Sequence, residues 1–150
     1  QRVEGFETFC LKISPTQFPF QPKNIISGET RPFHFTNIFR ATHNNSNPAW
    51  VKLDWQKNIT INEIIITFDT DLSLTNETMP EFYSSPQCVK DYLLEVFNEK
   101  GQIEHQLTIF DNYQRQRSHQ FENIKGKTLK LTVLKTNGAY DFGIYEIRVY

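Results

Sequence analysis

Asp69 and Asp71, two residues apart in FDTDLS, are the first candidates for chemistry in this chain. On an extended strand such a pair shares a face and can offer hard oxygens to a cation or polar ligand. The plainer role is to cap loop amides where a strand ends. A second group lies in DNYQRQRSH, where Tyr113, Arg115 and Arg117 fall on same-side positions if the segment is extended. A ring beside two guanidinium groups can stack on a sugar and bond its hydroxyls, or clamp a carboxylate. The alternative is a salt-bridged surface in which the arginines face Asp91, Glu95 or a neighbouring domain. A third group, TRPFHFTN, places Phe33, His34 and Phe35 in a loop. Burial is the default for at least one of those two rings.

The absences narrow the function further. His34, His43, His105 and His119 show no HxH or HExxH spacing, and His119 reads as a hydrogen-bonded sheet residue. The glycines are isolated, with no GxGxxG phosphate loop, and no motif frames a nucleophile. An active site of its own and a bound flavin are therefore not expected. A net charge of −1 gives no reason to expect nucleic acid or an anionic membrane as partner. No apolar run approaches the roughly 20 residues of a membrane span. Cys10 and Cys88 follow no metal or redox pattern and read as buried free thiols rather than a disulfide. Asn44, Asn58 and Asn76 sit in glycosylation sequons. The opening QRVEGFETFC lacks the basic start and apolar stretch of a signal peptide and reads as the cut end of a longer chain.

The elements that must position these groups are strands. WVKLDW sets Val51, Leu53 and Trp55 on one face, and NEIIITFDTD aligns Ile64, Ile66 and Phe68. KDYLLEVFNEKG does the same with Tyr92, Leu94 and Val96. IEHQLTIF and RSHQFENI read as shorter strands, and GKTLKLTVLKTNG alternates most sharply before stopping at Asn137-Gly138. In IYEIRVY, Tyr145, Ile147 and Val149 oppose Ile144, Glu146, Arg148 and Tyr150. Half-polar strands without a helical period predict an all-β fold, an antiparallel jelly-roll β-sandwich of about eight strands. The first fifty residues hold five of the seven prolines and seven of the thirteen phenylalanines, which predicts irregular but packed chain. Residues 1–23 are read as an extended wrapping segment and 24–150 as the sandwich domain. TDLSLTNETMPEFYSSPQ is too long for a hairpin turn and is a candidate functional loop.

The order of WVKLDW, ITINEIIITFD, DYLLEVFNEKG, LKLTVLKTNG and IYEIRVY resembles the discoidin, or coagulation-factor type C, jelly roll, a galactose-binding-like fold. More narrowly, AWVKLDW, ITFDTDLS, VKDYLLEVFNEKG, NYQRQRSHQF and TNGAYDFGIYEIRVY look like the C-terminal accessory domain of bacterial FAD-dependent oxidoreductases. The resemblance implies a last strand that closes the fold beside the first, and a module at the end of a larger protein. It implies a non-catalytic accessory role, with carbohydrate as ligand through Tyr113, Arg115, Arg117, Phe33 and His34. The alternative is a domain docked on an upstream FAD-dependent catalytic domain, with no free ligand. Many discoidin-like modules hold calcium between an early Asp-Gly loop and a late Glu. Here the matching stretch is ISGETRP, with Ser27 in place of the Asp and Glu146 as the late acid. With Asp69 and Asp71 from FDTDLS and Glu146 from the resemblance, these three acids are the candidate metal ligands, with calcium the only cofactor to consider. A periplasmic or secreted location is the favoured setting.

Overall fold

The computed structural model describes residues 20–32, 37–42, 48–71 and 84–150. Among these residues six strands follow a single 3-10 turn, Pro22–Ile26. They are β1 (Phe39–Thr42), β2 (Trp50–Phe68), β3 (Val89–Phe97), β4 (Ile103–Ile109), β5 (Gln116–Thr136) and β6 (Asp141–Val149). All pairings are antiparallel, in the order β1-β6-β2-β5-β3-β4. No helix among the described residues is long and apolar enough to cross a membrane.

The architecture follows from one long ribbon. β2 and β5 pair from Trp50↔Thr132 to Thr67↔Gln116, but the register breaks between Asp54 and Ile59 and again between Ile61 and Glu63. At those breaks the ribbon bends. Asn123 adopts a left-handed φ of 54° there, a conformation that Asn tolerates better than most residues. Gly126 sits where a Cβ would meet Val96 Cγ1 at 2.3 Å. Beyond the bend each half takes a different neighbour. The second half of β2 pairs with β6, and the second half of β5 pairs with β3. The folded ribbon thus supplies strands to both layers of the sandwich.

WVKLDW and NEIIITFDTD are therefore one strand rather than two, and so are RSHQFENI and GKTLKLTVLKTNG. Counting each long strand as two halves gives eight segments, in keeping with the about eight expected, but β1 was not among the segments read from the sequence. The core joins both layers, with Val51, Ile64, Ile66, Phe68, Tyr92, Leu94, Leu129, Leu131 and Val133 all buried. β6 departs from the expected alternation. Its register with β2 shifts between Thr67↔Glu146 and Phe68↔Ile144, so Tyr145 is an extra residue. Ile144 joins Ile147 in the core, while Tyr145 is buried outside that cluster and Val149 is only partly covered. A bulge of this kind re-aims side chains on one side of it.

Folding the ribbon brings both its ends to the same end of the sandwich. At the opposite end lies the bend, where Asn62 and Glu63 donate their amides to the Tyr150 carbonyl. The Asn137-Gly138 turn does not close a hairpin, because β5 and β6 are not neighbours; it carries the chain between layers at the loop end.

Candidate functional site

The loop end is built from the β4–β5 connection (110–115), the β5–β6 connection (137–140), the residues after β2 (69–71) and those before β3 (84–88). Buried Asn112 is the hub. Its Nδ2 donates to the carbonyls of Val89 at 2.7 Å and Gln114 at 3.3 Å, and its Oδ1 accepts the Gln114 amide at 3.1 Å. Asn137 Nδ2 donates to the Asn112 and Cys88 carbonyls at 2.9 and 3.1 Å, which ties the two connections together. Asp111, at φ 54°, donates its amide to Asp91 Oδ1 and pairs its carboxylate with Lys90 at 3.1 Å.

With Asn112 turned inward, its neighbours turn outward. Tyr113 is 67% exposed, Phe110 68% and Tyr140, on the adjoining connection, 86%. Three large rings on fixed loops are what carbohydrate stacking needs: an apolar face held without flexible backbone. Tyr113 is the one of these that the sequence singled out.

Arg115 does not lie beside Tyr113 in solvent. Its half-buried guanidinium donates to the Phe68 carbonyl at 3.1 Å and to the Thr30 carbonyl, and lies 5.0 Å from the centre of the Tyr145 ring. Burial lowers its pKa, opposed by the nearby Tyr145 and Asp69. The expected set of three consecutive same-side groups is thereby corrected: Arg115 staples the end of β2 to the connection before β1. Arg117 lies on β5 opposite Ile66, its Nη1 3.2 Å from Gln114 Oε1. Neither arginine pairs with Asp91 or Glu95, which instead hold the Asp111 amide and Lys130. Phe33 and His34 lie outside the described residues.

The acidic residues do not converge either. β2 ends at Phe68, so Asp69 and Asp71 are not strand neighbours on one face. Asp71 turns into the left-handed region at φ 53° and donates its amide to Asp69 Oδ1 at 3.0 Å, the local capping role that short acids favour. Buried Asp69 also accepts Arg40 Nη2 at 2.5 Å, while Arg40 Nη1 reaches Asp141 at 3.0 Å. The carboxylate of Glu146 is buried against Arg148 Nε at 2.8 Å. Among the described residues no three acids, histidines or cysteines gather as a metal would require. Asp69, Asp71 and Glu146 are thus corrected from a shared ligand set to separate hydrogen-bonding roles.

Two buried groups complete the picture. His119 Nε2 lies 2.9 Å from the Tyr92 hydroxyl, as expected for a sheet histidine. Burial, with Arg117 nearby, holds the imidazole down at about 4. Cys88 is a free, buried thiol, and burial pushes it up to about 12, so it is no nucleophile. Cys10 lies outside the described residues.

Comparisons with known proteins bear on the fold. No protein-family model matches the chain, and no curated protein matches it by sequence. Solved structures do. The chain is similar to a fucose binding module of Streptococcus pneumoniae, with a TM-score of 0.68 at 13% identity over 91% of this chain and 86% of that one. It is similar to the lectin domain of lectinolysin, solved with Lewis B antigen, with a TM-score of 0.68 at 13% identity over 91% and 88%. A chitosan-binding module from a chitosanase/glucanase of Paenibacillus sp., solved with chitotriose, matches with a TM-score of 0.65 at 11% identity over 89% and 88%. The fold is the galactose-binding-like jelly roll. At these identities the likeness carries the fold alone.

Sequence reasoning missed Tyr140, Phe110 and the Asn112–Asn137 tie. The Asn137-Gly138 turn was a usable signal, because an aromatic residue two positions past a fixed turn is held out on its tip. The local turn from Asn112 to Gln114 does not reveal its role as a hub, because the bonds to Val89 and Asn137 that make it one span 23 and 25 residues.

Proposed function

We propose that this chain is a non-catalytic carbohydrate-binding module whose site is the loop end, with Tyr113 and Tyr140 as stacking rings and Phe110 at its margin. The observation that carries the reading is the presence of three exposed rings on two connections locked to one another by Asn112 and Asn137. Arg117 and exposed polar groups of the same loops, Gln114 among them, supply donors and acceptors. The structural neighbours support it by their own ligands, which include Lewis B antigen and chitotriose. The chitosan-binding module belongs to a larger enzyme, and an accessory place in a larger enzyme is proposed here as well.

Single-site sugar binding is weak: at a Kd of about 1 mM the free energy is only about 4 kcal/mol. Losing one stacking ring then removes detectable binding. The test is a broad glycan screen on the chain, followed by Tyr113→Ala and Tyr140→Ala against any hit. The expected result is loss of binding in both variants with an unchanged melting temperature. A hit that survives both substitutions unchanged overturns the site.

A second reading takes the same rings as the contact face for an upstream FAD-dependent catalytic domain, as the sequence resemblance implies. Exposed rings are also what a domain contact would bury. A screen without hits favours this reading, and no neighbour described above is an oxidoreductase, which favours the first.

A further inference from the structure

Asn137-Gly138 is the only Asn-Gly pair in the chain, and it lies at the joint that holds the loop end together. An asparagine followed by glycine carries a latent reaction. The next residue's amide nitrogen can attack the side-chain carbonyl, and glycine, lacking a Cβ, leaves that approach open. Asparagine is counted among the thermally labile residues.

The structure exposes this pair and makes it matter. Gly138 is exposed, at a φ of 137° that residues with a Cβ rarely adopt, and Asn137 is only half-buried, so water reaches the turn. The Gly138 amide is held by a long contact, 3.4 Å to Thr136 Oγ1, and lies outside both strands. The Asn137 side chain is at the same time the donor that joins the two connections. Its Nδ2 lies 2.9 Å from the Asn112 carbonyl and 3.1 Å from that of Cys88, and both of those residues are buried.

We infer that Asn137 is a spontaneous modification site whose conversion to aspartate and isoaspartate unlocks the loop end. The Gly138 nitrogen bonds to Asn137 Cγ and gives up its proton, while the Cγ–Nδ2 bond breaks and ammonia leaves. Water then opens the cyclic imide at either carbonyl, which yields aspartate or isoaspartate. Water is the only co-reactant, and nothing is oxidised or reduced.

Either product replaces a double donor with a carboxylate. An oxygen left between the Asn112 and Cys88 carbonyls would face acceptors on both sides, which is costly away from water. The carboxylate therefore turns to solvent, and the Asn112 carbonyl loses the Asn137 donor. Isoaspartate goes further, because the main chain then runs through Cβ and Cγ and lengthens just before Gly138. The Ala139 amide, which donates to the Pro86 carbonyl at 3.1 Å, is drawn out of place, and Tyr140 follows it. If the loop end binds sugar, a consequence that rests on the proposed function, a modified chain loses a stacking ring while the sandwich stays folded.

The test holds the full chain in warm, mildly alkaline buffer and maps it by mass spectrometry, with enzymatic methyl transfer to mark isoaspartate. The expected result is conversion at Asn137 ahead of every other asparagine. The modified fraction, separated by its added negative charge, and the variant Asn137→Asp are then compared with fresh chain by hydrogen exchange. Amides of residues 110–115 and 137–140 should exchange faster in both, while those of Asn62 and Glu63, bonded to the Tyr150 carbonyl at the bend, stay unchanged. The separated fraction carries the measurement if the variant does not fold. An aged chain in which Asn137 stays intact or lags another asparagine overturns the inference. So does a modified fraction that exchanges like fresh chain, or faster at both ends alike. Mass and exchange are read without sugar, so the inference fails independently of the carbohydrate reading.

Discussion

Arg115 shows how a residue that looks made for ligands becomes a structural tie. Its guanidinium holds two carbonyls from distant segments and lies against Tyr145. A planar fork can do all three at once, and a lysine ammonium cannot. Arg115→Lys is expected to cost about 2 kcal/mol, because one buried carbonyl loses a charged donor. Chemical denaturation compared with the native chain checks this, and a change within error would return Arg115 to the surface. The sequence made its type and its loop legible, but not its partners, since Thr30 is 85 residues away. His119 gives a second test. Its imidazole titrates near 4 when folded against 6.5 ordinarily, so the unfolded chain takes up the proton first as pH falls. The stability that neutral His119 contributes is complete above about pH 6.5 and is lost as pH drops toward 4. His119→Gln keeps a partner for the Tyr92 hydroxyl and removes the titration. Its melting temperature should fall less steeply over that window than that of the native chain.

At the scale of elements, alternation located most of the strand segments because each buries one face and each apolar pair repeats every second residue. It could not show that β2 and β5 are continuous. Each changes register at the bend, where Gln56, Lys57 and Asn58 are exposed, and a polar stretch within a bent strand reads like a loop. The bulge in β6 was hidden for a related reason. Both faces of the strand are buried from Phe142 to Ile147, so either phase of the alternation looks plausible. Close approach near that bulge supplies a prediction. A Cβ on Gly143 would lie 2.4 Å from Ile38 Cδ1 and 2.7 Å from Asp69 Cβ. The Ile38 methyl can rotate aside, but Asp69 is held by Arg40 and by the Asp71 amide. Gly143→Ala is expected to destabilise the domain by roughly 1–3 kcal/mol. A neutral result in thermal melting would mean that β6 shifts away from the end of β2 at little cost.

For the whole molecule, the folded ribbon separates two ends with different duties. The bend end carries the β2–β5 turn-over and Tyr150, tied by its carbonyl to Asn62 and Glu63. The loop end carries the exposed rings. A surface attached at one end should therefore leave the other free, and a thiol can be placed to test this. Cys88 is buried and its thiol is pushed up to about 12, so it will not compete for a maleimide at neutral pH. Replacing Cys10 with Ser removes the other native thiol. Asn58→Cys then gives a handle at the exposed bend, and Tyr140→Cys gives one at the loop tip. Coupled through Cys at position 58, the chain should capture any glycan found in the screen as well as it does in solution. Coupled through position 140, it should lose that capture, from both steric blockage and the missing ring. To separate those two causes, Ala139→Cys provides a handle on the same connection that leaves Tyr140 and the Asn137 side-chain tie in place. Equal capture through positions 58 and 140 would put the binding surface away from the loop end and leave the three rings without a role in sugar recognition.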